Sequence, residues 1–182
     1  THYYPSFPYT AYANMTDQDI ADLWVYFRSI PKSTTPSIDH DLPIYIRWRR
    51  PLAFWKLLNK REPRIDLVSS DAMIQRGAYL VETLGHCGEC HTSRNFIGGL
   101  KYGYWLGGAK NPTGRGMIPN LTPAKLTWNT EEIVEYLTSG FTPDFDVAGG
   151  HMVDVIENTS KLTDEDRLAI AKYLKAIPEV QK

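Results

Sequence analysis

Apolar residues recur at helical spacing in three separate stretches of this 182-residue chain. Between Asp71 and Leu84, the residues Ile74, Tyr79 or Leu80, Val81 and Leu84 fall near one face, and Gly85 reads as the C-terminal cap. A second helix opens at Asn129-x-x-Glu132, a capping-box pattern, runs through Leu137 and stops at Gly140. A third starts at Thr163, with Asp164, Glu165 and Asp166 at its positive end. Its apolar stripe is Ile170, Tyr173, Leu174 and Ile177, and Pro178 ends it. Residues 92–128, rich in Gly, Pro, Asn and Thr, read as one long loop. So long an irregular stretch predicts a segment wrapped around a ligand, which supplies the apolar centre that its own residues lack. The expected class is mainly α.

The third pattern occurs twice. Met15 to Pro31 lies over Leu162 to Pro178 without a gap, and Thr, Asp, Asp, Tyr, Ile and Pro coincide. The expected organisation follows from that repeat. Residues 1–31 form the C-terminal remnant of a domain like the one at residues 70–182, and residues 32–69 join them. In the same overlay Phe7 falls close to the place of Met152.

Composition narrows the function classes. Twenty Lys and Arg against 21 Asp and Glu leave a net charge of −1, so no dominant field points to a nucleic acid. No apolar run reaches the ~18 residues of a membrane span. Locally the charge is uneven. Arg47, Arg49, Arg50, Lys56, Lys60, Arg61 and Arg64 face Glu62 alone, interleaved with Trp48, Phe54 and Trp55. Pro31, Pro36, Pro43, Pro51 and Pro63 argue against one continuous helix there. The segment reads as a solvated linker with its aromatics tucked against the domains. Contact with anionic lipid, and so peripheral membrane association, or with an acidic partner is the alternative. Residues 131–182 balance it with eleven acids against five bases.

Both cysteines lie in one pentapeptide, Cys87-Gly88-Glu89-Cys90-His91. C-x-x-C-H is the attachment signature of c-type haem. Two thiols three positions apart form thioethers to one edge of a porphyrin, and the next histidine sits beneath the iron. A redox dithiol would want a thioredoxin-like βαβ setting that the flanks do not offer. A zinc site would need a second ligand pair, and neither further cysteines nor an H-x3–5-H follows. One covalent haem c through Cys87 and Cys90, with His91 as proximal ligand, is therefore expected. For a sixth ligand, Met117 and Met152 both stand in Gly-flanked stretches read as loop, and His151 competes. Spacing alone does not choose between them. An open sixth position would instead make the chain a small-ligand sensor or a peroxidase-like protein.

Arg76-Gly-Ala-Tyr-Leu-Val81 leading into Gly85-His-Cys-Gly-Glu-Cys-His-Thr92 resembles the haem domains of multi-haem cytochrome c subunits. Those subunits serve bacterial periplasmic, membrane-associated dehydrogenases for alcohols and sugar acids. Pro119-Asn-Leu-Thr-Pro123, Trp128, Gly149-Gly-His-Met-Val153 and Leu162 to Leu174 are similar too, as are Tyr4 to Tyr9 and Arg50 to Trp55. The similarity therefore covers nearly the whole chain. It implies a class I-like cytochrome c domain preceded by the C-terminal part of a second one. It implies Met152 as sixth ligand with Met117 as second choice, and Arg94, Asn120 and Trp128 near the haem propionates. It further implies a periplasmic electron carrier with no substrate chemistry of its own. A dehydrogenase subunit would be its donor, and another redox protein, a quinone or an oxidase its acceptor. Two features depart from that pattern: a single C-x-x-C-H, and Phe7 where some relatives have Met. The opening Thr1-His-Tyr-Tyr4 is not a natural start, so the expectation is a processed or truncated chain, or one completed by another polypeptide.

Overall fold

The computed structural model describes residues 2–59, 70–112, 114 and 116–181. Its elements are helical apart from one short pair of strands. The chain divides into two compact units, Thr1–Arg61 and Glu62–Lys182.

The first unit holds α1 (Tyr9–Tyr12), α2 (Asp17–Ser29), α3 (Ile44–Arg47) and α4 (Pro51–Leu58). Residues 40–58 fold back on the first ten. The Tyr4 hydroxyl donates to the Arg47 carbonyl at 3.4 Å, and the Arg49 guanidinium donates to the His2 carbonyl while lying 4.9 Å from the Tyr4 ring. Lys56 Nζ sits 4.7 Å from the ring centre of Tyr9. The expected tucking of the linker aromatics holds only in part: Trp55 is half-buried, but Trp48 and Phe54 stay exposed. Lys60, Arg61, Glu62 and Arg64 of the basic run lie outside the described residues.

The second unit runs α5 (Ala72–Tyr79), a π-helical turn (Leu80–Leu84), α6 (Gly88–His91) and a 3-10 turn (Tyr102–Tyr104). Strands β1 (Ala109–Lys110) and β2 (Met117–Ile118) pair antiparallel; then come α7 (Thr130–Ser139), α8 (Met152–Thr159) and α9 (Asp164–Ala176). The second predicted helix is α7. Both hydrogen bonds of its capping box are present at 2.7 and 2.8 Å, and Gly140 ends it at φ +80°. The first predicted helix spans α5 and the π turn that continues it, from N-cap Asp71 to C-cap Gly85. Regular α geometry stops at Tyr79, and the chain widens into the π turn, in which Gly85 N–H reaches back to the Leu80 carbonyl at 2.7 Å. Gly85 has φ −82° and is no left-handed cap. Residues 77–83 are all buried, so the helix is enclosed rather than laid on one face. The long segment 92–128 also differs from expectation: Trp105 and the fully buried Leu106 belong to the core.

The core forms where α5 crosses α9. At the crossing, Ala169 and Tyr173 of α9 are fully buried against Gly77. Arg76 grips Asp166 through two hydrogen bonds of 2.8 and 2.9 Å. Buried Arg167 donates to the carbonyls of Thr159, Ser160 and Leu162, tying α9 to the end of α8.

The sequence repeat is also a repeat of helices. Both α2 and α9 have 13 residues. Each starts from a threonine, Thr16 or Thr163, whose hydroxyl accepts the third amide at 3.1 Å. Each ends at an extended isoleucine, Ile30 or Ile177, followed by Pro. Their surroundings differ. Ile170, Tyr173, Leu174 and Ile177 are buried, whereas their counterparts Leu23, Tyr26, Phe27 and Ile30 are exposed, and α2 buries nothing. Thr163→Ala removes one acceptor from the positive end of a core helix. It is expected to cost about 1 kcal/mol in urea unfolding of the second unit.

Candidate functional site

The π turn delivers the chain into the pentapeptide. Cys87 N–H donates to the Val81 carbonyl at 3.0 Å, and His91 N–H to the Cys87 carbonyl at 3.0 Å, which closes α6 as a single turn. Within it, Gly88 is required by close packing: a Cβ there would lie 2.1 Å from the six-membered ring of Trp105. On the far side of α6, Gly108 N–H donates to the His91 carbonyl at 2.7 Å, and the buried Thr92 hydroxyl accepts Leu106 N–H at 3.0 Å. The pentapeptide turn is thus clamped between the π turn and the Trp105–Gly108 segment.

His91 is 6% exposed, and its Nδ1 lies 2.8 Å from the Pro119 carbonyl oxygen. A carbonyl only accepts, so Nδ1–H is the donor and the Nε2 lone pair is left for a metal. Burial lowers the pKa of His91 and outweighs the opposing effect of the Pro119 bond, favouring the neutral imidazole that ligation needs. Burial pushes the Cys87 thiol up to about 11, with Cys90 adding to the rise and a backbone hydrogen bond opposing it. Cys90 is exposed.

The other predicted residues divide into two groups. Arg94 is tied to the pentapeptide itself: it pairs with the Glu89 carboxylate at 2.6 Å and also donates to the carbonyls of Glu89 and Gly98. Asn120 follows Pro119 and forms a knot, donating to the Val180 carbonyl at 2.9 Å and accepting from Thr122 N–H and hydroxyl at 2.8 and 2.7 Å. Met152 and Trp128 are half-buried and, like Cys87, pack against the core. Trp128, just before α7, packs edge-on against Tyr136 at 5.2 Å, and both residues pack on the core.

The two candidate methionines are placed differently from the loop expected for both. Met152 is the first residue of α8, half-buried against the core, with His151 exposed beside it. Met117 lies in β2 and is 63% exposed. Arg115, in the same stretch, lies outside the described residues. Among the described residues no group of three or more His, Cys, Asp or Glu converges as a protein-only metal site would.

Two participants were missed in the sequence. Pro119 acts through its carbonyl, which no side-chain pattern reports. Trp105 gave no signal because its contact with Gly88 spans 17 positions.

No family model matches the chain. It is similar to a protein named diheme cytochrome c-type from Cereibacter sphaeroides, 53% identical over 184 residues, covering all of this chain and 61% of that protein. It is 35% identical over 184 residues to the fructose dehydrogenase cytochrome subunit of Gluconobacter japonicus, covering 96% of this chain and 37% of that one. With the cytochrome c subunit of the quinone alcohol dehydrogenase of Gluconobacter oxydans it shares 36% identity over 194 residues, covering 97% and 40%. The chain therefore spans about three fifths of the first relative and about two fifths of the other two.

Proposed function

From a chain homologous to cytochrome c subunits of bacterial dehydrogenases, we infer an electron carrier that holds one haem c covalently through Cys87 and Cys90. The observation that carries this reading is the buried His91 imidazole, held by the Pro119 carbonyl inside a C-x-x-C-H turn. The residues fit the group. They offer two thiols on one turn, a neutral imidazole with Nε2 spare, and a half-buried thioether at Met152. A haem brings its iron already held by four macrocycle nitrogens, so one imidazole and one further ligand from the chain suffice.

Bound there, the haem supplies one-electron cycling of its iron between ferric and ferrous states. The chain's part is to hold and to tune. Cys87 and Cys90 would hold the haem covalently, and His91 would offer Nε2 to its iron, oriented by the Pro119 carbonyl as acceptor of Nδ1–H. Met152 would supply the second protein ligand to the iron. Arg94 steadies the pentapeptide turn through Glu89, and Arg94, Asn120 and Trp128 would serve the haem propionates. Residues 70–182 form a class I-like cytochrome c domain, and residues 1–31 the C-terminal part of a second. A dehydrogenase subunit is the donor, and a redox protein, quinone or oxidase the acceptor, in the bacterial periplasm. Among the described residues no helix is long and apolar enough to cross a membrane.

Intact-mass measurement of the chain matured with its haem-attachment machinery is expected to show one haem. The reduced spectrum is expected to be low-spin and indifferent to carbon monoxide. An unmodified mass overturns the haem reading. Rapid carbon monoxide binding overturns the sixth ligand and favours a sensor or peroxidase-like protein.

A further inference from the structure

The π turn places an acid where the proposed electron-transfer role has no use for one. Glu82 is 2% exposed, and Thr83 beside it is fully buried. The Tyr173 hydroxyl donates to Glu82 Oε1 at 2.7 Å, and Trp105 Nε1–H donates to the same hydroxyl oxygen at 3.2 Å. Tyr173 is fully buried and Trp105 nearly so. The far end of the indole rests on Gly88, inside the pentapeptide, and Cys87 N–H is bonded to the carbonyl of Val81, the residue before Glu82. A carboxyl, a phenol and an indole thus form a hydrogen-bonded row, screened from water, that ends on the attachment turn.

Charged groups on the packed elements make contacts of their own. On α5, Arg76 is held by Asp166. On α9, Arg167 pairs with Asp164, Lys172 stands 3.9 Å from Asp71, and Lys175 donates to the carbonyls of Leu126 and Trp128. Tyr173 faces Glu82 directly, and burial and the Glu82 charge together hold it protonated far above neutrality. The segment after the π turn carries His86 and Cys87, the latter a thioether once haem is attached.

We propose that Glu82 takes up one proton when the haem-loaded protein is reduced and releases it on oxidation. This rests on the haem reading above. An electron arriving from a one-electron donor adds negative charge beside the row, in a medium where charges interact strongly. A carboxylate there becomes costly, and a proton from water neutralises it. One electron and one proton enter together, Glu82 passes from carboxylate to carboxylic acid, and oxidation reverses both. Tyr173 keeps its own proton throughout, and its hydrogen bond favours the carboxylate. Since the carboxylate stabilises the oxidised state, the reduction potential falls as pH rises.

The test is a redox titration of the haem-loaded full chain from pH 5 to 9, with dithionite as reductant. The potential is expected to fall by up to about 59 mV per pH unit, the one-electron equivalent of a tenfold change. Glu82→Gln is expected to flatten that fall. Tyr173→Phe, which removes the donor to the carboxylate, moves it to higher pH. Should either variant fail to fold, reduced-minus-oxidised infrared spectra of the wild-type chain are expected to show a protonated carboxyl stretch appearing on reduction. A flat wild-type potential, a slope that survives Glu82→Gln, a slope that vanishes in His86→Gln, or a missing carboxyl band overturns the proposal. A chain whose mass shows no haem fails the haem reading instead, which keeps the two failures apart.

Discussion

Replacing Met152 by alanine is expected to lower the reduction potential of the haem-loaded protein by on the order of a few tenths of a volt, within the ~0.8 V that axial ligands command. The sulfur-to-iron charge-transfer band is expected to vanish with it. A thioether is a neutral, polarisable donor that favours the ferrous state, and water or hydroxide in its place favours the ferric one. In the structure Met152 opens α8 and is half-buried. Gly149 and Gly150, the latter at φ +57°, turn the chain into α8, and the side chain of Met152 packs on the core instead of pointing to water. Met117→Ala is the matched control. At 63% exposed on a two-residue strand, its removal is expected to leave potential and band unchanged. If Met117→Ala abolishes the band and Met152→Ala keeps it, the ligand assignment is reversed. Potentiometric titration with near-infrared detection reads both variants.

The sequence exposed some of this arrangement and hid the rest for physical reasons. Helices α7 and α9 were legible because their ends are written in side chains: the Asn129–Glu132 box, Thr163 with its acids, Gly140 and Pro178. The pentapeptide was legible because its chemistry is local. The first helix runs from its N-cap Asp71 to its C-cap Gly85 as predicted, but its last turn is π, and no residue type announces that. Glu82 and Thr83 are buried in that turn, and periodicity would not have chosen an acid for the interior. Helix α8 went unread since its N-terminus is a pair of glycines and His151, with no side-chain cap. The role of Pro119 is silent in the sequence, since the group that holds His91 is a backbone carbonyl 28 positions away. Arg94 and Asn120 were named for a ligand, and the structure shows what else occupies them: the Glu89 carboxylate and the Val180 carbonyl.

The largest effect on stability is expected at Gly77, where α5 meets α9. A Cβ at this position would stand 2.0 Å from the Ala169 carbonyl oxygen, 2.6 Å from its carbon and 2.7 Å from Tyr173 Cβ. Two of these three atoms are backbone, so no rotamer change relieves the clash and the helices must separate. Two opposing terms set the sign for Gly77→Ala. Helix propensity favours alanine over glycine by about 1 kcal/mol. Overpacking costs ~1–3 kcal/mol even where neighbours yield, and more where they cannot. Here they cannot, so a net loss of at least about 2 kcal/mol is expected for alanine, and Gly77→Val is expected to leave little folded second unit. Gly103→Ala is the control. Nothing lies within 4 Å of its would-be Cβ, and a change within about 0.5 kcal/mol is expected. Urea unfolding of the haem-loaded chains measures all three, and equal midpoints for Gly77→Ala and Gly103→Ala would sink the argument. The consequence reaches the site through chain continuity. Helix α5 runs straight into the π turn whose Val81 carbonyl holds Cys87, so prising α5 from α9 shifts the attachment turn as well. The haem-to-protein ratio of purified Gly77→Ala is therefore expected to fall along with its stability, while that of Gly103→Ala stays at the wild-type value.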